Sequence, residues 1–326
     1  MQSKARITAI GTYTPKKILT NADMEKIVET SDEWIVQRTG IKERRIAADD
    51  EFSSDLAIQA VNQLVANYNT SIQDVDLILV STTTPDYPFP SVASQVQARL
   101  GIKNTGAIDL NATCAGFAYA LHLANGLVTS GANKKVLVIG AETLSKVTDY
   151  TDRTSCILFG DAAGAVLVEY DEENPSFIES VMGSDGDAGI HLYRTGLSQK
   201  MQDVDLIASE KMVQNGREVY KWVMKNVPNC IQELLNKAHM SMTDVDWFVP
   251  HSANMRIVEA LCERLDFPVE KALTSLTYIG NTSSASIPLA IDFAVKEGRI
   301  KTGETLLLHG FGGGLVQSGV LLKWQM

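Results

Sequence analysis

Apolar runs of strand length alternate along this chain with segments of helical periodicity. Continuous apolar runs occupy 77–80 and 136–139, where both faces of a strand would be buried. Apolar residues recur at helical spacing over 56–65, before the first run, and over 117–128, between the two runs. This alternation predicts an α/β fold with a mainly parallel central sheet.

The second half of the chain repeats the order of the first. In each half, an apolar run that begins with an aspartate is followed by a second apolar run that ends in glycine. The separation is 64 positions from Asp76 to Gly140 (140 − 76), and it is also 64 positions from Asp246 to Gly310 (310 − 246). Matched patterns at matched separation indicate an internal duplication. We predict two similar halves, 1–172 and 173–326, packed closely because no flexible linker separates them.

Three polar or nucleophilic residues follow predicted strands. Residues 109–117 read as the end of a buried strand, a polar turn and a helix start, with Cys114 in the first helical turn. A helix N-terminus favours the thiolate, although a cysteine is more often an inert core residue. His251 and Asn281 follow strand patterns in the second half. Since sites gather at the carboxyl ends of strands, we expect all three to converge where the halves meet.

Composition excludes several classes of function. The net charge of −10 disfavours general binding of nucleic acid or of an anionic membrane. Neither the four cysteines nor the five histidines have zinc-ligand spacing, so no metal is predicted. No secretory leader or bilayer-length apolar run is visible. We therefore expect a cytoplasmic protein with free thiols.

Four motifs occur in a fixed order from the first half to the second: residues 111–117 around Cys114, 251–254 beginning with His251, 280–283 around Asn281, and the glycine-rich 310–314. Together they resemble the β-ketoacyl-acyl-carrier-protein synthase III family, the initiating condensing enzymes of bacterial fatty-acid synthesis. The resemblance implies a thiolase fold, a duplicated five-layer α/β/α/β/α arrangement with two mixed, mainly parallel sheets. It also implies a homodimer without metal or redox cofactor.

The resemblance implies a role for each central residue. Cys114 takes the acyl group from a short acyl-CoA, and malonyl-acyl-carrier-protein then decarboxylates and condenses with it. His251 and Asn281 donate hydrogen bonds to the enolate oxygen; whether His251 also acts as a base stays open. The backbone N–H groups of Cys114 and Gly313 form a second oxyanion hole. Phe311 walls the malonyl carboxylate into an apolar space.

Further matches concern substrate binding. Trp34 and Arg153 resemble the pair that sandwiches the CoA adenine, and Arg38 and Asn254 are placed to contact the rest of CoA. Phe89 falls where the dimer partner supplies a wall of the acyl pocket.

An acidic carrier protein requires a basic docking patch on this acidic chain. Lys221 and Arg256 match the family's docking positions, and Ser252 is grouped with them although familiar members carry glutamine there. Arg217 and Lys225 share the helical face of Lys221, but a merely solvated face explains them equally well.

Other functions compete with this interpretation. A related enzyme could use Cys114, His251 and Asn281 to make a secondary metabolite, such as a ketide or an alkylated product. A degradative thiolase would need a second active-site cysteine motif, and a hydrolase of similar topology would show GxSxG, which is absent. A non-catalytic synthase subunit would lack the nucleophile. The primer stays open between acetyl-CoA and branched short-chain acyl-CoA, because one methylene changes discrimination by only about 1–3 kcal/mol.

Overall fold

The computed structural model describes residues 2–326. Within this range the strands are β1 Ala5–Tyr13, β2 Lys17–Thr20, β3 Glu43–Ile46, β4 Leu77–Ser81, β5 Gly106–Leu110, β6 Lys135–Thr143, β7 Asp161–Tyr170, β8 Phe177–Ser184, β9 Leu192–Arg194, β10 Lys200–Met201, β11 Val204–Asp205, β12 Met212–Gln214, β13 Trp247–Pro250, β14 Thr305–Gly312 and β15 Val316–Lys323. The α-helices of the described residues are α1 Asn21–Met24, α2 Asp32–Thr39, α3 Ser53–Tyr68, α4 Val92–Arg99, α5 Gly116–Thr129, α6 Gly216–Ala238, α7 Met255–Arg264 and α8 Ser286–Lys296.

Two sheets form the framework. The first has the strand order β1-β7-β6-β4-β5, and the second has the order β13-β14-β15-β8. Both sheets are mixed, as predicted, but parallel pairing does not predominate. It joins β4 to β5 and to β6 in the first sheet, and only β13 to β14 in the second. The antiparallel pairs arise because β7 and β15 each run back alongside the strand that precedes them.

The layers are α/β/α/β/α, which confirms the predicted thiolase fold. Helices α3 and α4 cover the outer face of the first sheet, and α6 and α7 cover the outer face of the second. Helices α5 and α8 lie between the sheets, where their apolar side chains join those of both inner faces in one core. The helices on the two sides of each sheet explain why its central strands are apolar on both faces.

The duplication is exact enough to assign equivalent positions. Leu77 pairs with Val136 in the first half, and Trp247 pairs with Leu306 in the second. The offset is 170 in each case (247 − 77 and 306 − 136). Two 3₁₀ turns, Thr113–Ala115 and Ser283–Ala285, have the same offset, and their first residues have φ of 46° and 48°. The proposed boundary at 172/173 falls between β7 and β8, and every strand of the first sheet precedes it.

The strand that leads to Cys114 differs from its prediction. β5 forms the edge of the first sheet and is half exposed rather than buried, and Ile108 is 55 % exposed. Its equivalent in the second half is reduced to a single bridge between Phe248 and Ala272. The outer edge of β5 therefore offers unpaired backbone groups beside the turn that carries Cys114.

Candidate active site

A cavity of about 990 Å³ reaches the interface between the halves and is lined by Cys114, His251 and Asn281. Cys114 follows β5 and His251 follows β13, as predicted. Asn281 instead follows a turn at 277–279, where a strand was expected, and it is bridged to Phe159 just before β7. The predicted convergence of the three residues is therefore present in the structure. Apolar side chains from both halves line the deeper wall, among them Leu144, Phe159 and Leu192.

Cys114 is held in the 3₁₀ turn immediately before α5. The Thr113 hydroxyl donates a hydrogen bond to the Gly313 carbonyl at 2.8 Å, which ties this turn to the end of β14. Gly312 stands directly against the turn: a Cβ there would lie 2.4 Å from Thr113 Oγ1 and 2.8 Å from the Cys114 nitrogen. A glycine is required at 312 because no other residue permits this approach.

The structure contradicts the expectation of a resting thiolate. Burial raises the pKa of the Cys114 thiol to about 12, and the negative charge of Glu142 acts in the same direction. The Ser283 side chain and the Cys114 backbone N–H oppose this rise without cancelling it. A helix terminus contributes at most about 2 kcal/mol, or about 1.5 in pKa. Desolvation therefore prevails, and burial favours the thiol form of Cys114.

His251 is a buried neutral imidazole with one ring nitrogen already engaged. It is 2 % exposed, and burial lowers its pKa to about 3. Its Nδ1 lies 2.7 Å from the hydroxyl oxygen of Ser286, the first residue of α8. Among residues 2–326 its Nε2 has no hydrogen-bond partner, and His251 lines the cavity. One polar ring atom is thus left for a bound molecule.

The amide of Asn281 is oriented by its own turn. The backbone N–H of Ser283 donates to Asn281 Oδ1 at 2.9 Å, so the amide NH₂ is the group left to the cavity. The Asn281 backbone is fixed on both sides, since its N–H donates to Leu158 and its carbonyl accepts from Gly160. An amide donor and an imidazole therefore face one cavity together with the thiol.

Phe311 and Gly313 lie at the end of β14. The Phe311 ring meets the His251 ring edge-on, with centroids 5.2 Å apart, and it is buried at the cavity wall. Gly313 is buried, and its carbonyl accepts the hydrogen bond from the Thr113 hydroxyl. This bond places the Gly313 backbone beside the Cys114 turn. Both positions are compatible with the roles expected for them.

Trp34 in α2 lies at the mouth of the cavity between two arginines. The guanidinium carbon of Arg153 is 5.2 Å from the Trp34 ring centroid, and that of Arg38 is 5.7 Å away. Trp34 and Arg38 line the cavity; Arg153 is exposed beside it and donates to the Glu29 carbonyl at 3.1 Å. The structure therefore places a cation–aromatic group where a flat ring could stack.

Basic residues surround the same mouth. Asn254 caps α7 by accepting the Arg256 backbone N–H at 2.9 Å, so its amide NH₂ remains available to the cavity. Arg256 and Arg217 line the opening. Lys221 is exposed one helical turn beyond Arg217 and forms an ion pair with Glu218 at 2.7 Å.

Ser252 does not belong to a docking surface. It is fully buried; its N–H donates to Ser286 Oγ at 3.3 Å, and its hydroxyl accepts the Ser275 N–H at 3.1 Å. A docked protein cannot touch it, so its assignment to the carrier-protein contacts is wrong. Phe89 is 85 % exposed and does not line the cavity of its own chain.

Two residues of this site were missed in the sequence. Ser286 contacts the His251 imidazole, and Ser283 orients Asn281 and lines the cavity. The duplication offered a clue, because the position equivalent to Ser286 is Gly116 (286 − 170), so a side chain is present in one half only.

Within residues 2–326, no group of three or more His, Cys, Asp or Glu residues is arranged to hold a metal ion. No helix in that range is long and apolar enough to cross a membrane.

Comparisons with known proteins identify the family. Residues 108–186 match the family 3-oxoacyl-[acyl-carrier-protein (ACP)] synthase III, and residues 235–324 match its C-terminal part. A curated relative, β-ketoacyl-[acyl-carrier-protein] synthase III 2 of Bacillus anthracis, is 61 % identical over 100 % of both chains. Among solved structures, the β-ketoacyl-[acyl carrier protein] synthase III of Thermus thermophilus matches with a TM-score of 0.94, 44 % identity and 98 % of both chains covered.

A relative with a different biological setting has the same fold. The priming β-ketosynthase of the R1128 polyketide biosynthetic pathway matches with a TM-score of 0.91 and 34 % identity, covering 98 % of this chain and 96 % of that one.

The thiol state of Cys114 predicts how it reacts with iodoacetamide. We expect one alkylation per chain, at Cys114, because Cys156, Cys230 and Cys262 are each 7 % exposed or less. Its rate should rise about tenfold per pH unit between pH 7 and 9, following the thiolate fraction. Peptide mapping with a Cys114→Ala control measures both. A rate that levels off near pH 7 would show an activated thiolate instead.

Proposed function

This chain belongs to the 3-oxoacyl-[acyl-carrier-protein] synthase III family, and from that premise we propose how the residues of the cavity divide its reaction. The protein is an acyltransferase that starts fatty-acid chains by condensing an acyl-CoA primer with malonyl-acyl-carrier-protein. The observation that carries the assignment of roles is that one cavity brings together a nucleophile and two hydrogen-bond donors from different halves of the chain. The reaction as written below requires no metal or redox cofactor.

In the first step Cys114 takes the acyl group. Its sulfur attacks the thioester carbonyl of the primer, the bond to the CoA sulfur breaks, and the thiol proton leaves on CoA as its free thiol. The backbone N–H groups of Cys114 and Gly313 stabilise the tetrahedral oxyanion. The contact of Thr113 with Gly313 supports this role, because it fixes the two backbone segments side by side.

In the second step His251 and Asn281 bind the thioester oxygen of malonyl-acyl-carrier-protein. Loss of CO₂ moves an electron pair into an enolate on that oxygen, and the enolate carbon attacks the acyl group on Cys114. The Cys114 sulfur leaves and regains a proton from solvent, which gives the 3-oxoacyl carrier protein. Two neutral donors suit this step, since they can be buried in fixed positions at far lower desolvation cost than a cation. Phe311 supplies the apolar wall that favours loss of the carboxylate.

The mouth of the cavity supports a CoA subsite. The CoA adenine stacks between the Trp34 ring and the Arg153 guanidinium. To admit it, the present contact between Trp34 and Arg153 opens. Arg38 and the free amide NH₂ of Asn254 contact the phosphate and pantetheine portions. Cationic and aromatic groups at one opening suit a ligand that carries both an anionic group and a flat base.

The acidic carrier protein docks on the basic rim. Arg256 and Lys221 carry the main contacts, and Arg217 joins them because it lines the opening that the phosphopantetheine arm must enter. Lys225 lies on the same face of α6, farther from the opening. We place the reaction in the cytoplasm, in keeping with the four free cysteines.

A second copy of the chain completes the site. β5 leads to the Cys114 turn and exposes Ile108 by 55 %. The Val92 N–H at the start of α4 donates to Asp109 of β5, which brings the nearby Phe89, 85 % exposed, toward the same edge. We take these exposed apolar groups as the face that a second copy covers. Pairing of two such edges would bury this face and bring Phe89 of one chain to the acyl pocket of the other.

Priming of a secondary metabolite is the alternative function, and the R1128 synthase gives it a specific precedent. The full-length identity of 61 % to a synthase III relative, against 34 % to the polyketide enzyme, favours the fatty-acid role. Activity with acetyl-CoA or a branched short-chain acyl-CoA supports it; activity with longer or aromatic primers alone would support the alternative.

Variants of Cys114 and Asn281 should separate the two steps. Cys114→Ala should abolish acyl transfer and condensation but retain decarboxylation of malonyl-acyl-carrier-protein, since both enolate donors remain. Asn281→Ala should form the acyl-enzyme normally and lose decarboxylation by about 10²–10³-fold. CoA release and CO₂ release are measured separately, so each variant is the control for the other. Condensation by Cys114→Ala at the wild-type rate would refute the function.

Charge reversal should expose the docking face. Arg256→Glu should raise KM for malonyl-acyl-carrier-protein about tenfold, which corresponds to about 1.4 kcal/mol, with the effect shrinking at high salt. Lys237→Glu is the matched control, because Lys237 is exposed on the far end of α6 and paired with Glu233. Equal effects of the two substitutions would argue against a local docking site.

Light scattering should give a mass near twice the 35.5 kDa of one chain. Ile108→Lys should yield monomers, because it places a charge on the exposed sheet edge. A wild-type monomer at micromolar concentration would contradict the proposed pairing.

A further inference from the structure

Among residues 2–326, Ser286 is the one group hydrogen-bonded to a ring nitrogen of His251, and its other hydrogen bond indicates where its own proton goes. Ser286 is fully buried at the start of α8. Its oxygen accepts the backbone N–H of Ser252 at 3.3 Å and lies 2.7 Å from His251 Nδ1. It makes no further side-chain hydrogen bond with any of residues 2–326.

A serine hydroxyl has one proton and two lone pairs. One lone pair of Ser286 receives the Ser252 N–H. If the other lone pair accepted a proton from His251 Nδ1–H, the buried hydroxyl proton would have no acceptor among residues 2–326, which is costly, so the hydroxyl donates to His251 Nδ1. A nitrogen that accepts this bond carries no proton of its own. In a neutral imidazole the proton must then be on the other nitrogen, Nε2.

We infer that Ser286 is a positioning residue that holds His251 as the Nε2–H tautomer, so that Nε2 is a hydrogen-bond donor to the enolate oxygen. The inference rests on the proposed function and deepens it. The low pKa of His251, caused by burial, agrees with the neutral ring that the argument requires. The opposite tautomer would present a lone pair to the developing negative charge.

The inference also decides whether His251 is a base. A protonated Nε2 cannot accept the Cys114 proton, so His251 does not deprotonate the nucleophile in this state. The thiol proton passes to the departing CoA sulfur instead, as in the first step above. Ser286 is therefore expected to serve the decarboxylation step and not the acyl transfer.

The duplication supports a dedicated role for this side chain. Positions 116 and 286 are equivalent, and so are 81 and 251 (each pair 170 apart). A Cβ on Gly116 would lie 1.9 Å from Ser81 Oγ, so the first half leaves no room for a side chain there. In the second half the same position carries the hydroxyl that contacts His251.

The decisive experiment is long-range ¹H–¹⁵N NMR of the full-length enzyme labelled at its five histidines, with His251 assigned by substitution. Wild type should show a protonated Nε2 and an unprotonated Nδ1 at neutral pH. Ser286→Ala should lose that preference, and its decarboxylation rate should fall by at least about tenfold, toward the 10²–10³-fold typical of a lost oxyanion donor. CoA release from acyl-CoA should stay near the wild-type rate.

Ser275→Ala is the matched control, because its hydroxyl donates to the carbonyl of Ser286 but does not touch His251. It should retain both the tautomer and the decarboxylation rate. A wild-type His251 protonated on Nδ1 would overturn the inference. So would a Ser286→Ala enzyme with an unchanged tautomer, or with equal losses in both steps. Failure of the wild type to condense would refute the proposed function instead, while the NMR result on the tautomer would stand separately.

Discussion

The active site depends on the close approach of the Cys114 turn to the end of β14. Gly312 permits it, because any Cβ at that position would collide with Thr113 and with the Cys114 backbone. The Thr113–Gly313 hydrogen bond then holds the two segments together across the interface. Contacts between the two halves consequently hold Cys114, the Gly313 backbone and the Phe311 ring together.

The contact between Gly312 and the Cys114 turn has an equivalent elsewhere in the duplicated fold, and the two contacts differ in their side chains. Glu142 is equivalent to Gly312, and Ser284 is equivalent to Cys114 (each 170 apart). The buried Glu142 carboxylate accepts hydrogen bonds from Ser284 and from Thr83 and Thr84. The Glu142 side chain thus fills, beside Ser284, a space that Gly312 leaves open beside Cys114. The same carboxylate raises the pKa of Cys114.

Burial of the site shifts the pKa values of His251 and Cys114 in opposite directions, and it leaves both groups uncharged. Burial favours the neutral ring of His251, which suits the donor role proposed for it. Burial also favours the protonated thiol of Cys114, which slows the nucleophilic attack proposed for it. In the proposed acyl transfer, the thiol therefore loses its proton as the thioester reacts, and the departing CoA sulfur accepts it.

The sequence predicted the α/β class, the duplication and the meeting of Cys114, His251 and Asn281, because these follow from local patterns at strand ends. It did not predict the exposure of β5, since an edge strand and a central strand can share one apolar pattern. Nor did it predict the burial of Ser252 or the contact of Ser286 with His251, which arise only when α8 packs against β13. The thiol state of Cys114 was missed because sequence shows a helix start but not the desolvation around it.

The account rests on Cys114 as the carrier of the primer. Intact-protein mass spectrometry after incubation with acetyl-CoA or isobutyryl-CoA alone tests this directly, with peptide mapping to locate the adduct. We predict one acyl group per chain on the Cys114 peptide, lost when malonyl-acyl-carrier-protein is added and 3-oxoacyl product forms. Product formation without an adduct, or an acyl group on another residue, would contradict the account.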